Sequence, residues 1–90
     1  MARNFVGHAP KQMATYIAKD GDHNITVSTK AVTNGFVSTV SVRGPKGREL
    51  SLSQYNGGCF DTEKVAANTA ISYARLAIKG QIPNVDVSSL

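Results

Sequence analysis

The chain has 90 residues, with ten Lys or Arg against six Asp or Glu and a formal net charge of +4. This length gives one domain with a single core, and a hydrophobic content of 41% excludes a wholly disordered chain. The single cysteine excludes a disulfide within the chain, and no apolar run is long enough to cross a bilayer. We therefore expect a small cytoplasmic globular protein that does not associate with a membrane.

Residues 1–12 show no hydrophobic period and predict a loosely ordered arm before a single domain over residues 13–80. The first segment of that domain, residues 13–19, has two interpretations. In a strand, Thr15 and Ile17 share one face; in a helix, Pro10 lies in the first turn and Gly21 ends it. We favour the strand, because Thr, Tyr and Ile prefer it and a turn-forming Asp-Gly-Asp sequence follows.

Three segments of alternating polarity then predict antiparallel strands over residues 24–32, 36–43 and 49–55. Asn34 and Gly35 are predicted to form the centre of a tight hairpin turn, because that dipeptide tolerates positive φ at both positions. Residues 44–47 predict the second turn. The inward face of the strands is expected to carry Ile25, Val27, Thr29, Ala31, Phe36, Val40, Val42, Leu50 and Leu52.

A helix is predicted between Asp61, whose side chain can cap the first turn, and Gly80, a common helix terminator. At about 100° per residue, its polar side chains fall on one narrow stripe. That stripe consists of Lys64, Asn68, Ser72, Arg75 and Lys79. The remaining apolar arc is wider than packing on one small sheet requires. It predicts a second contact, with the N-terminal segment or with another copy of the protein.

Residues 81–90 predict a flexible or extended tail. The predicted fold class is α+β: an antiparallel meander of three to four strands with one long C-terminal helix packed on one face. The alternative is α-β-β-β-α, which follows if residues 10–19 are helical.

The Ala-rich run of residues 63–77 resembles the last helix of double-stranded-RNA-binding domains, whose element order is that of the alternative fold. In that family a basic cluster at the start of the helix contacts RNA phosphates. Here the corresponding positions hold Asp61, Thr62 and Glu63, with Lys64 as the one basic residue.

A second resemblance covers residues 24–80. Phe60-Asp61-Thr62 leads into an Ala-rich helix that ends Ala74-Arg75-Leu76-Ala77-Ile78-Lys79-Gly80. The pattern resembles small stand-alone bacterial proteins of unknown function that combine a β-meander with a helix. The resemblance implies a cytosolic, non-enzymatic protein without assigned site residues.

The residues that could carry chemistry form no recognisable site. Cys59 precedes the helix, but neither His8 nor His23 stands in a relation to it that a nucleophile and its base would need. The histidines and nearby aspartates do not have the spacing of a metal site. We therefore expect no enzymatic activity, no metal and no cofactor.

Basic residues suggest one binding hypothesis. Arg43, Lys46 and Arg48 surround the second turn, where they could contact a phosphate backbone together with Lys64, Arg75 and Lys79 of the helix. The favoured hypothesis is a non-enzymatic protein–protein interaction module, either self-associating or binding an unknown protein through the helix face or an exposed strand edge. Nucleic-acid binding is the alternative.

Overall fold

A computed structural model describes residues 13–87 and 90. The elements are β1 (Met13–Asp20), β2 (His23–Val32), β3 (Gly35–Arg43), β4 (Glu49–Ser51) and α1 (Glu63–Ile78). The strands form one sheet in the order β1-β2-β3-β4, and each neighbouring pair is antiparallel. The predicted α+β meander with a C-terminal helix is confirmed. The arm expected over residues 1–12 lies outside the described residues.

β1 decides between the two predicted element orders. Residues 13–19, which could be read as strand or helix, belong to a strand that pairs with β2 from Met13↔Lys30 to Asp20↔His23. The α-β-β-β-α alternative is therefore wrong. The chain therefore does not have the element order of double-stranded-RNA-binding domains.

The core lies between one face of the sheet and an alanine face of α1. The sheet contributes Ile25, Val27, Val40 and Val42, all buried, as the alternating pattern predicts. The buried helix residues are Ala66, Ala67, Ala70, Ala74 and Ala77. Because alanine side chains are short, the helix can lie close to the sheet.

The C-terminal tail contains no helix or strand among its described residues, yet it contributes to the core. Val87 and Leu90 are buried and belong to the same apolar cluster as the strand residues. A Cβ at Gly44 would lie 2.3 Å from the carbonyl carbon of Leu90, so only glycine allows this approach. The last described residue therefore packs directly on the start of the β3–β4 turn.

Three local predictions are corrected. The first hairpin turn is centred on Thr33 and Asn34, because Val32 pairs with Gly35, which already belongs to β3. Neither turn residue has positive φ. Glycine is still needed at position 35, which begins β3. Its φ is +147°, and in addition a Cβ there would lie 2.2 Å from the Phe60 carbonyl oxygen.

β4 is also shorter than predicted. It ends at Ser51, because only the Leu52 amide continues the pairing, donating to the Val40 carbonyl, before Tyr55 N–H bonds back to Leu52. At the helix start, the capping side chain belongs to Thr62 and not to Asp61. Thr62 Oγ1 accepts a hydrogen bond from the Val65 amide at 3.2 Å.

We predict that Gly35→Ala destabilises the fold by about 2 kcal/mol or more, because it combines backbone strain with a clash against Phe60. Gly47→Ala is the matched control. Its φ is +86°, but an added Cβ meets nothing within 4 Å, so only the backbone cost of about 1–2 kcal/mol remains. Urea unfolding followed by circular dichroism measures both. Equal losses would show that the Phe60 contact does not constrain this turn.

Candidate interaction surface

On one side of the sheet, the outer side of β3 is covered by the chain itself. β4 covers the end at residues 41–43, and the Leu52 amide bonds to Val40. Further along, Phe36 and Phe60 exchange two backbone hydrogen bonds of 2.8 Å, which form an isolated bridge. The chain after β4 thus returns to the same strand before α1 begins, and it supplies backbone partners at both ends of β3.

The opposite edge of the sheet is the outer side of β1. No described residue pairs with it. β1 is eight residues long, contains neither Pro nor Gly, and keeps an unbroken register with β2. Soluble proteins usually protect such an edge with a proline, a bulge, a short strand or several charges. Lys19 and Asp20, at one end of the strand, are its charged residues.

The direction of the β1 backbone groups follows from the alternation of antiparallel pairing. In β3, Phe36 and Val40 bond away from β2. The odd-numbered residues of β3 therefore bond to β2. Across β2, the same alternation directs Ile25 and Val27 towards β1. Their partners are Ala18 and Tyr16. The β1 residues whose N–H and C=O groups point outward are consequently Met13, Thr15, Ile17 and Lys19.

The side chains of these outward-directed residues lie on the sheet face opposite α1. No described element covers that face. Met13 is 61% exposed and Ile17 is 72% exposed, the largest values among the exposed large apolar side chains of the described residues. The cross-strand neighbours of Ile17 and Thr15 are Thr26 and Ser28, so the exposed Ile17 side chain stands beside small hydroxyl residues.

On the helix side, β1 is tied to α1 by one polar cluster. Glu63 Oε2 accepts a hydrogen bond from Thr29 Oγ1 at 3.1 Å, which satisfies a hydroxyl whose residue is only 1% exposed. Tyr16 also donates to Glu63. Partial burial, this hydrogen bond and the negative carboxylate all raise the pKa of Tyr16 above its usual value of about 10. Tyr16 and Ala18 nevertheless stay half-buried, because the helix lies mainly over β2 and β3.

The basic residues suggested as nucleic-acid contacts are all exposed, and they lie at the β3–β4 turn and near the two ends of α1. Arg43, Lys46 and Arg48 lie at the β3–β4 turn. Lys46 and Lys79 line one groove of about 490 Å³, where Asp22 and Asp86 also lie. The remaining two are on the helix: Arg75 precedes Lys79 by about one turn, and Lys64 lies at the other end, about 22 Å away.

The wide apolar arc of α1 is occupied on several sides. Tyr73 packs against Tyr55 with ring centroids 5.0 Å apart, and the Tyr55 hydroxyl is 3.1 Å from Ser38 Oγ. Val65 and Leu76 remain 48% and 42% exposed. Leu76 and the two tyrosines line a groove of about 480 Å³ beside residues 54–57. The predicted second contact of the helix, with the N-terminal segment or another copy, stays a prediction.

The remaining candidates form no site in the described part of the chain. Cys59 is exposed. Within residues 13–87 and 90, no three His, Cys, Asp or Glu side chains are grouped so that they could hold a metal ion. No helix in the same residues has the length and apolarity to cross a membrane. The sequence predicts an exposed strand edge in general terms, but no local signal in it singles out Met13 and Ile17.

The comparisons with known proteins give no relative. No protein-family model, curated protein or solved structure matches the chain.

We predict that Tyr16→Phe makes stability less sensitive to alkaline pH. The folded state raises the pKa of Tyr16, so its contribution is present below about pH 10 and is lost as pH rises through the raised value. Urea unfolding midpoints of wild type and Tyr16→Phe, compared from neutral to strongly alkaline pH, measure the difference.

Glu63→Gln serves as the control for this prediction. It keeps an oxygen acceptor for Thr29 and Tyr16 but removes the negative charge that disfavours ionised Tyr16. The stability that Glu63→Gln loses at alkaline pH should therefore be smaller than in wild type and larger than in Tyr16→Phe. If Tyr16→Phe loses as much stability at alkaline pH as wild type does, the Tyr16–Glu63 contact does not have this role.

Proposed function

We propose that the protein is a non-enzymatic protein–protein interaction module that associates with itself through the outer edge of β1. The observation that carries the proposal is the difference between the two sides of the sheet, which end in the eight-residue β1 and the three-residue β4. The chain supplies partners for the edge of β3, whereas no described residue pairs with the eight-residue edge of β1.

The composition of the β1 edge favours a protein partner. Ile17, in the middle of the strand, exposes most of its side chain, and burying that area is favourable by roughly 25 cal/mol per Å². The outward backbone groups of an edge strand add hydrogen bonds of defined register to such a contact. Together these features combine an apolar contact with a directional one.

Both faces of β1 would gain burial from a neighbouring strand. On the helix side, Tyr16 and Ala18 are half-buried because α1 leaves the edge partly uncovered. On the other side, Met13 and Ile17 are exposed. A strand added beside β1 would cover flanks of all four residues. Self-association is favoured because a second copy brings the same alternation of apolar and small polar residues.

Analytical ultracentrifugation tests the proposal. We expect wild type to sediment with twice the mass of one chain at high concentration. We expect Ile17→Pro to raise the dissociation constant at least about tenfold, because proline removes an outward N–H and places its ring on the edge. The β1–β2 ladder should survive, since the Ile17 amide does not point to β2.

Ile17→Val is the matched control. It keeps the amide and most of the apolar side chain, so it should sediment like wild type. Circular dichroism must show the same folded content in all three proteins. A wild type that stays monomeric at every concentration, or an Ile17→Pro variant that dimerises as tightly as wild type, overturns the proposal.

Nucleic-acid binding is a second candidate, supported by the groove that Lys46 and Lys79 share. Two carboxylates, of Asp22 and Asp86, line the same groove and offset part of its positive charge. This function requires a mobility shift at low salt, with duplex or single-stranded nucleic acid, that weakens steeply as salt rises.

The charge-reversed pair Lys46→Glu/Lys79→Glu should abolish any such shift. Lys64→Glu, at the opposite end of α1, changes the net charge as much as Lys46→Glu or Lys79→Glu alone. It should leave most of the shift intact, whereas each of those single changes should weaken it. Absence of a shift at low salt with either form of nucleic acid removes this candidate.

A further inference from the structure

We infer that two copies of the chain join β1 to β1 in an antiparallel pair, with a two-fold axis passing through Tyr16, to make one eight-stranded sheet. This inference rests on the proposed self-association and specifies its partner and register. The direction of the backbone groups and the length of β1 determine this register.

Only one class of residue can make the new hydrogen bonds. The outward N–H and C=O groups of β1 belong to its odd-numbered residues, because Tyr16 and Ala18 bond to β2. When a two-fold axis relates two antiparallel copies of one strand, the numbers of the two residues in every facing pair add up to the same value. Hydrogen-bonded pairs must therefore join odd to odd, and every slip by a single residue is excluded.

Among the permitted registers, one uses all the outward groups. It places Thr15 opposite Ile17 of the second copy and Met13 opposite Lys19 of the second copy. These pairs, repeated by the two-fold axis, form about eight backbone hydrogen bonds. Moving the axis to Thr15 or to Ile17 leaves one outward residue of each strand without a partner.

The side chains are compatible with this register on the sheet face opposite α1. Ile17 packs beside Thr15 of the second copy and lies diagonally across the axis from the other Ile17, at about 7–8 Å between Cα atoms. The two Lys19 side chains lie at opposite ends of the interface, so no like charges face each other.

The helix side also accommodates the pairing. The two Tyr16 residues oppose each other on the axis, and Ala14 opposes Ala18 of the second copy. Small residues on both sides of the tyrosines leave space for the rings. Each Tyr16 hydroxyl keeps its hydrogen bond to Glu63 of its own chain.

Single-cysteine variants in a Cys59→Ser background test the register. A residue on a two-fold axis is the one whose cysteine can form a disulfide with its own copy. Under mild oxidation with oxidised glutathione, Tyr16→Cys should form covalent dimers, because opposed Cα atoms in such a pair are about 4.5 Å apart, within disulfide range. Thr15→Cys and Ile17→Cys, with Cα atoms about 7–8 Å apart, should remain uncross-linked.

A second experiment leaves Tyr16 intact. Ala14→Cys alone and Ala18→Cys alone should give no covalent dimer, because each lies far from its own copy. An equal mixture of the two should cross-link, because Ala14 faces Ala18 across the interface. This pattern requires the antiparallel register centred on Tyr16 and does not depend on the stability of Tyr16→Cys.

The outcomes separate the two proposals. A sedimentation dimer that cross-links through Thr15→Cys or Ile17→Cys, or that fails to cross-link in the Ala14/Ala18 mixture, overturns the register but leaves self-association standing. A wild type that is monomeric at every concentration overturns both. A sedimentation dimer with cross-linking in the mixture and in Tyr16→Cys supports both.

Discussion

Two backbone hydrogen bonds between Phe36 and Phe60 organise much of this molecule. They return the chain to β3 after an irregular excursion of residues 52–59, and they place Phe60 beside the strand immediately before α1 begins. The close approach also explains why position 35 must be glycine, since any Cβ would meet the Phe60 carbonyl. From that anchored point, the Thr62 cap and the contact of Glu63 with Thr29 direct the helix across the sheet.

The same pair of bonds makes the two edges of the sheet unequal. The sheet ends in the eight-residue β1 on one side and in the three-residue β4 on the other, where Leu52 and Phe60 also bond to the outer side of β3. On β1, the described residues form the ladder with β2 and the polar tie from Tyr16 to Glu63, and none of them pairs with its outer side. The proposed role of β1 follows from this asymmetry, whereas the wide apolar arc of α1 is largely occupied by Tyr55 and the core.

Local pattern was sufficient to predict most of the fold. Alternation identified the faces of β2 and β3, and a turn-forming sequence after Lys19 favoured strand over helix for β1. The errors arose where distant residues decide. The Phe60 carbonyl, far along the chain, lies against Gly35 beside the first turn. β4 ends early where the Tyr55 amide bonds back to Leu52 and the Tyr55 side chain contacts Ser38 and Tyr73. Asp61 and Thr62 are both good caps, and no local signal separates them.

The candidate surface was harder to predict for the same reason. Which edge of the sheet is open depends on where residues 52–60 return, and sequence periodicity carries no information about that path. The grouping of Lys46 with Lys79 likewise depends on the crossing of α1 over the sheet. The residue types at these positions are visible in the sequence, but their neighbours are not.

The alanine face of α1 has a consequence for how the folded fraction of the protein depends on its concentration. Five short side chains allow close packing, but each buries little area, so a chain of this length gains limited folding free energy from its core. A second copy that binds only the folded form would add to that free energy by mass action. In a self-associating chain, the folded fraction would therefore rise with the total amount of protein, and dilution would expose monomers to proteolysis.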